Sequence, residues 1–213
     1  MKINASKILI LAPHTDDGEF GCGGTIAKLI EDGNQVYYVA FSTCEKSVPE
    51  HLPKNILSME VKQATQALGI PKENLTILKY EVREFVRDRQ MILEDLIRLR
   101  LRISPEYVFI PSLNDVHQDH QTIAQEAVRA FKFQSILSYE LPWNNFNFQN
   151  TLFVHLEERH LELKNKALSY YESQRFRNYG QEDTARSQAH FRGIQSGGKF
   201  AEVFEVVRLF YRS

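Results

Sequence analysis

The fold is decided by the stretch Ile8-Leu9-Ile10-Leu11-Ala12-Pro13-His14-Thr15-Asp16-Asp17-Gly18-Glu19-Phe20-Gly21-Cys22-Gly23-Gly24. Its first part is an apolar run that Pro13 ends, and this pattern predicts a buried strand over 7–12. Its last part is rich in glycine and predicts a turn into a helix over 25–32. His14 and Asp17 lie between them with a spacing that lets both side chains hold a metal, while Asp16 stays free as a base.

The rest of the chain continues this alternation of strands and helices. Further strands are predicted over 35–41, 75–79, 107–111, 135–141 and 203–210, and further helices over 55–68, 85–101, 121–131 and 157–173. The segments 142–148 and 174–198 are predicted to be irregular, and the residues 200–202 suit a strand or a helix equally. The strand–helix–strand beginning predicts an α/β fold with a mostly parallel sheet and with its functional loops at the carboxyl ends of the strands.

Length and composition limit the class of protein. The 213 residues, of which 43% are hydrophobic and 25% charged, fit one domain over 1–213. The formal net charge of −1 gives no reason to expect a nucleic-acid or membrane partner. We identify no signal peptide and no transmembrane segment, and the two cysteines suggest no disulfide framework, which together predict a cytoplasmic protein. The sequence leaves open whether the chain forms a homo-oligomer.

A second polar cluster, His117-Gln118-Asp119-His120, follows the predicted strand over 107–111. Ligands of open α/β sheets bind at the carboxyl edge of the strands, so the two clusters are expected to meet there. A catalytic zinc commonly takes three protein ligands and leaves one position for water, whose pKa falls to about 7. His14, Asp17 and His120 supply such a set, although His and Asp ligands also suit iron, cobalt or nickel.

The remaining polar residues of the clusters have roles in this scheme. Asp16 would accept a proton from the water as it attacks a carbonyl. His117 would stabilise the oxyanion or protonate the leaving amine, and Asp119 would hold a histidine in one tautomer. These residue types together predict metal-assisted hydrolysis of an amide.

Simpler explanations exist for each cluster. Asp and His in a loop between a strand and a helix often act only as caps or turn residues. Two such clusters with complementary ligand types favour a metal site instead. The glycines at 21, 23 and 24 resemble a dinucleotide-binding loop. They lack its full spacing and follow carboxylates that would repel a phosphate, so a nucleotide cofactor is disfavoured.

These residues carry a resemblance to the LmbE-like, or PIG-L-like, family of zinc-dependent N-deacetylases. The family's first motif is Ala-His-Pro-Asp-Asp-Glu, and the run Pro13-His14-Thr15-Asp16-Asp17-Gly18 resembles it, with Thr for Pro and Gly for Glu. Glu19 comes one place later than the family's Glu. The second motif, His-x-Asp-His, is intact at 117–120, and 60–64 and 200–204 resemble other family segments.

The resemblance implies a Rossmann-like three-layer domain. It also implies a zinc held by His14, Asp17 and His120, with Asp16 as general base, His117 at the oxyanion and Asp119 supporting it. The expected activity is removal of the N-acetyl group from an N-acetylglucosamine-type conjugate.

Substrate contacts are less defined by the resemblance. Family members often carry an Arg just before the Glu that corresponds to Glu60, where this chain has Leu57 and Ser58. Arg83 or Arg192 are candidates to replace that Arg, and Trp143 is a candidate to stack on a sugar. The arginines that could bind a phosphate or carboxylate on the carrier are Arg175, Arg177, Arg186 and Arg192.

Two other functions fit the same residues. One is a metal-dependent hydrolase of a non-sugar amide, which would share the metal site and differ in its pocket. The other is a non-catalytic module that uses the metal to bind a sugar or a protein. Asp16 argues against the second, because a binding module needs no spare base beside its metal.

Overall fold

The computed structural model describes residues 6–180 and 182–211. The strands in this part of the chain are β1 Lys7–Ala12, β2 Gln35–Ala40, β3 Leu75–Ile77, β4 Tyr107–Pro111, β5 Ser135–Tyr139, β6 Leu152–Leu156 and β7 Phe200–Arg208. The helices are α1 Asp17–Glu31, α2 Ile56–Ala67, α3 Arg89–Ile103, α4 Gln118–Ala130, α5 Glu158–Ser169 and α6 Glu182–Ser196. The predicted bounds of β1 and β4 are confirmed.

All seven strands form one sheet, in the order β3-β2-β1-β4-β5-β7-β6. The pairs from β3 through β5 are parallel, whereas β7 runs antiparallel to both of its neighbours. The predicted α/β class with a mostly parallel sheet is therefore confirmed. Because β7 lies antiparallel between β5 and the edge strand β6, the continuous parallel part is limited to five strands.

Alternating side chains of β1 divide the core into two halves. Ile8 and Ile10 pack on one face of the sheet with buried residues of α1, α2 and α5. Leu9 and Leu11 pack on the other face with α3 and α4. This alternation, with a period of two residues, produces the predicted three layers. Since β1 continues into α1 on one face and β4 into α4 on the other, a crevice opens between the ends of these two strands.

The glycine-rich segment is helical, which corrects the predicted turn. Helix α1 begins at Asp17 rather than at residue 25. The glycines serve close packing: a Cβ atom on Gly18 would lie 2.5 Å from Cε2 of Tyr38, and one on Gly24 would lie 2.5 Å from Cδ1 of Leu156. No larger side chain fits at these two positions without displacing its neighbour.

Helix α1 has a break at Cys22, where φ is −150°. A straight helix would join the N–H of Gly24 to the carbonyl of Phe20. Instead the Gly24 N–H donates to Oε1 of Glu202 at 3.0 Å, and Nζ of Lys164 donates to the Phe20 carbonyl at 2.7 Å. Lys164 and Glu202 are buried and lie 2.7 Å apart. This ion pair therefore satisfies the Gly24 N–H and the Phe20 carbonyl, and Oε2 of Glu202 also accepts the N–H of Thr25 at 2.6 Å.

The Lys164→Met variant is expected to lose about 3–5 kcal/mol of unfolding free energy, because it leaves the Glu202 carboxylate buried without its counter-charge. Lys199→Met is the matched control, since Lys199 pairs with Glu158 at 3.0 Å on the surface and should contribute less than about 1 kcal/mol. Urea denaturation measures both. Equal midpoints for the two variants would show that the buried pair does not stabilise the break.

Several other predicted elements differ from the structure. Helix α6 lies inside the segment 174–198 that was predicted to be irregular, and β6 is a strand that the sequence did not indicate. The ambiguous residues 200–202 belong to a strand, and α4 begins at Gln118 rather than at residue 121. Among the residues described, none of the helices has the length and apolar content needed to cross a bilayer.

Candidate active site

The two polar clusters meet in the crevice between the ends of β1 and β4. His14 and the first residues of α1 follow the end of β1, whereas His117 and His120 lie at the start of α4, after β4. They line a cavity of about 420 Å³ together with Asp16 and Asp17. The predicted meeting of the two clusters at this edge is thus observed.

Three of these side chains converge on one point. Nδ1 of His14 lies 3.3 Å from Oδ2 of Asp17 and 3.1 Å from Nε2 of His120. Nε2 of His120 lies 3.2 Å from the same Asp17 oxygen. Ligand bonds of 2.0–2.1 Å in a tetrahedral zinc site give ligand separations of about 3.3 Å. The two nitrogens and the oxygen therefore have the spacing that a tetrahedral metal requires.

The outer nitrogens of both histidines contact carboxylates. Nε2 of His14 lies 3.1 Å from Oδ2 of Asp119, and Nδ1 of His120 lies 2.8 Å from Oδ2 of Asp115. When each outer nitrogen carries a proton and donates it, the inner nitrogen presents its lone pair. This arrangement fits a metal. Asp115 was not among the predicted site residues.

Without a metal, the same charges hold protons in the cluster. Burial opposes charge on His120, but the adjacent Asp17 and Asp115 outweigh it and raise the pKa of His120 to about 10. Burial likewise opposes charge on Asp17, yet His120 and His14 hold the pKa of Asp17 well below its usual range. A metal ion bound at these atoms would replace the protons that now balance the Asp17 carboxylate.

His117 has a defined tautomer. It is the N-terminal cap of α4, and its Nδ1 accepts a hydrogen bond from the Asp119 N–H at 3.1 Å. Burial and the charges of His14 and His120 lower the pKa of His117 to about 4, so the ring is neutral at pH 7. A neutral ring that accepts at Nδ1 carries its proton on Nε2. The ring therefore has a hydrogen-bond donor at Nε2.

Asp16 is the remaining carboxylate of the cavity. It is buried, and burial together with the charge of Asp17 raises the pKa of Asp16 to about 6. This value lies closer to neutral pH than that of a free aspartate, which suits a general base.

The carboxylate of Asp119 was expected to support His117, but it contacts other groups. Oδ2 of Asp119 contacts His14 and also accepts the backbone N–H of Arg83 at 2.7 Å. It is the Asp119 backbone that contacts His117. Arg83 has a φ of +71°, an uncommon conformation for a residue other than glycine. The backbone at Arg83 thus takes a strained form that presents its N–H to Asp119.

Comparison with known proteins identifies the family. Residues 9–131 match the PIG-L family model, which is described as GlcNAc-PI de-N-acetylase. The chain belongs to the PIG-L family. An uncharacterized deacetylase of Escherichia coli K12, YaiS, is 26% identical over 171 residues, which cover 78% of this chain and 90% of that relative.

Two further relatives resemble this PIG-L chain, one in sequence and one in structure. A probable N-acetyl-alpha-D-glucosaminyl L-malate deacetylase 2 of Bacillus cereus is 27% identical over 58% of this chain and 60% of its own length. The structure of the N,N'-diacetylchitobiose deacetylase from Pyrococcus horikoshii has a TM-score of 0.77, with 23% identity, and the match covers 95% of this chain and 84% of that one. This structural likeness shows the shared fold.

A second layer of this PIG-L site was not predicted from the sequence. Glu19 is fully buried, and its carboxyl group contacts the hydroxyls of Tyr38 and Tyr171, the latter at 3.0 Å. Both hydroxyls also lie within 2.9 Å of the Thr15 carbonyl. Burial raises the pKa of Glu19 to about 8. A protonated Glu19 supplies a third proton to this network, which holds the loop between His14 and Asp16.

The proton on Glu19 makes stability depend on pH. Its pKa rises on folding from 4.5 to about 8, so the stabilisation is complete below pH 4.5 and is lost as the pH rises through 8. In metal-free protein, the Glu19→Gln variant should show a smaller fall in unfolding free energy between pH 5 and 8 than the wild type, because only the contributions of other groups such as Asp16 and His120 remain. The exposed Glu158, with a pKa of about 2, provides the control Glu158→Gln, which should keep that fall. Parallel pH profiles for wild type and Glu19→Gln would contradict this assignment.

The predicted substrate contacts divide between two places. Arg83 and Trp143 line the cavity of the PIG-L site, and the Trp143 ring stacks on Tyr179 with centroids 4.1 Å apart. One face of Trp143 is therefore already covered within the protein. Arg192 instead forms an ion pair with Glu140. Arg177, one of the four arginines considered for an anionic carrier, does line the cavity.

Proposed function

We propose that this PIG-L family member is a zinc-dependent hydrolase that removes the N-acetyl group from an N-acetylglucosamine-type conjugate. The observation that carries this proposal is the convergence of His14, Asp17 and His120, at 3.1–3.3 Å from one another, with a carboxylate on the outer nitrogen of each histidine. A bound zinc would activate water and polarise the amide carbonyl of the substrate.

A different ligand set has to be weighed against this one. His14, His117 and His120 also offer three nitrogens, all within 4.8 Å of one another. We favour Asp17 over His117 because its oxygen lies within 3.3 Å of both other ligand atoms. This choice also leaves the Nε2 proton of His117 free for the substrate.

The side chains around the metal ligands have separate tasks in this proposal. Asp16 accepts the proton that the attacking water loses, since its raised pKa favours proton uptake near neutral pH. His117 donates from Nε2 to the oxygen that becomes negative in the transition state. With a pKa of about 4, it is a hydrogen-bond donor rather than an acid for the leaving amine. Asp119 and Asp115 orient His14 and His120.

We infer the sugar substrate from the names of the family model and of the relatives. The family description concerns GlcNAc-PI, the Bacillus relative is named for an N-acetylglucosaminyl malate, and the Pyrococcus structure is that of a diacetylchitobiose deacetylase. Each name contains an N-acetylated glucosamine. A cavity of about 420 Å³ has the size of a pocket for a small ligand. We also propose a cytoplasmic location, on the two free and buried cysteines Cys22 and Cys44.

The first experiment measures amine release from a panel of N-acetylglucosamine conjugates and non-sugar N-acetyl amides. The protein is stripped with a chelator, its metal content is determined, and zinc is then restored. We expect release from sugar conjugates that depends on zinc. Release only from non-sugar amides would overturn the substrate class, whereas no release from any amide by stoichiometrically loaded protein would overturn the hydrolase.

A further inference from the structure

The charged groups of the cavity are unevenly distributed. Its carboxylates, Asp16 and Asp17, belong to the metal-binding cluster. The arginines that line it are Arg83 and Arg177. The charges of His120 and His14 act on Asp17, and those of His14 and Arg177 act on Asp16. Neither Arg83 nor Arg177 forms an ion pair with a carboxylate in the part of the chain that the structure describes, so both can still pair with an anionic ligand.

Arg177 differs from the other arginines of its region. Arg186 and Arg192 form ion pairs with Glu158 and Glu140. Nε of Arg177 is buried and has no hydrogen-bond partner within the part of the chain that the structure describes. A buried donor without an acceptor is unfavourable, and a ligand oxygen that accepts from Nε would remove that cost.

The position of Arg177 is fixed by its surroundings. The segment before it is fastened to α2, since the N–H and hydroxyl of Ser173 donate to the buried Glu60 at 3.0 and 2.6 Å. The guanidinium lies over the rings of Phe176 and Tyr179, at 5.2 and 5.6 Å from their centroids. Such packing orients the planar group and limits its loss of entropy on binding.

The α2 side of the cavity presents Leu57, which lies one turn before Glu60. The cavity wall formed by α2 is therefore apolar at this point. The segment that Glu60 anchors brings Arg177 to the cavity instead.

We propose that Arg177, assisted by Arg83, binds an anionic group, a carboxylate or a phosphate, on the carrier attached to the amino sugar. The substrate class narrows accordingly to conjugates with a negatively charged carrier. This inference rests on the proposed function. The guanidinium of Arg177 can hold two anion oxygens at once, and Arg83 is exposed and donates to the Ser47 hydroxyl at 3.2 Å.

The test compares three N-acetylglucosamine conjugates: a neutral methyl glycoside, a malate conjugate and the 1-phosphate. Wild-type kcat/KM should be at least 10-fold higher for one of the anionic conjugates than for the neutral glycoside. Comparison of the malate conjugate with the 1-phosphate shows whether a carboxylate or a phosphate is preferred. Arg177→Gln should reduce this ratio by about 10- to 100-fold, the factor expected from a hydrogen bond to a charged group. Arg177→Lys should retain an intermediate ratio.

Arg175→Gln is the matched control. Arg175 lies two residues away, is exposed, and donates to the Ser169 carbonyl at 3.3 Å, so this variant removes the same charge from the same segment. It should keep the wild-type ratio. An equal loss on neutral and anionic conjugates in Arg177→Gln would overturn the proposal and leave Arg177 a role in supporting Asp16. A wild type without preference would also overturn it.

Binding of the corresponding free amines separates this inference from the proposed function. Isothermal titration calorimetry of the glucosaminyl malate, glucosamine 1-phosphate and methyl glucosaminide needs no hydrolysis. If no conjugate is hydrolysed, but the anionic amines bind at least 10-fold more tightly than the neutral one and Arg177→Gln loses this preference, the anion site stands and the hydrolase fails. Binding without any preference for the anionic amines would overturn the anion site.

Discussion

The Asp16→Asn variant is expected to bind zinc as the native protein does and to lose about 10²–10⁴-fold in kcat, the usual contribution of a general base. Asparagine preserves the size of the side chain but cannot accept the proton that the attacking water must lose. Asp16 lies beside the ligand Asp17 without sharing its contacts to His14 and His120. Mass spectrometry measures the metal content of the variant, and an amine-release assay on the best sugar conjugate measures its kcat.

Asp32→Asn is the control for this variant. Asp32 follows the other end of α1 and forms an exposed ion pair with Lys28 at 3.1 Å. It should retain both zinc and activity. Full activity in metal-loaded Asp16→Asn would exclude Asp16 as the base. Loss of zinc in the same variant would instead make Asp16 a ligand, which would require a different metal site.

The His120→Ala variant is expected to lose more than about 100-fold in zinc affinity. Removal of a carboxylate that hydrogen-bonds a metal-binding histidine lowers the metal affinity by about 10- to 100-fold. We expect this loss of zinc affinity for Asp115→Asn, which removes the carboxylate that contacts Nδ1 of His120. His155→Ala is the control, because His155 is exposed and contacts Ser196 at 3.0 Å. Competition with a chromophoric chelator measures all three affinities. Unchanged binding in His120→Ala would refute the proposed ligand set.

Zinc affinity of the native protein should also fall with pH. Without metal, His120 has a pKa of about 10, so at pH 6–8 it holds a proton that zinc must displace. Displacement of one proton lowers the affinity by about tenfold for each unit that the pH falls. The same chelator competition at pH 6, 7 and 8 measures this slope. A flat profile would show that the metal-free site holds no such proton.

The parallel half of the sheet was predictable because its strands are buried on both faces. Such strands give short apolar runs, and β1 and β4 were predicted with their observed bounds. Helix α1 was predicted to start eight residues late, since its glycines indicate a turn unless the close approach of Tyr38 and Leu156 is known. Helix α6 has little apolar periodicity and was therefore missed, as was β6, most of whose residues are not fully buried.

The cluster of candidate metal ligands was predictable because its residue types and spacing are local properties of two loops. His14, Asp17 and His120 need only the adjacency of β1 and β4 to meet. The residues that hydrogen-bond these side chains are set by tertiary contacts and were harder to predict. Asp115 could have been found from the sequence, since it lies five residues before His120. Glu19 and its two tyrosines gave none, because Tyr171 lies 152 residues away in the sequence.

The break in α1 has a consequence for the order of synthesis. The Gly24 N–H is bound by Glu202, which the ribosome adds 178 residues later. A nascent chain can expose His14, Asp17 and His120 outside the exit tunnel while Glu202 has not yet been translated. The Gly24 and Thr25 N–H groups at the break of the helix that carries Asp17 then lack their acceptor, so the site acquires its final rigidity only after β7 has docked. Stable metal uptake is therefore expected to follow the docking of β7.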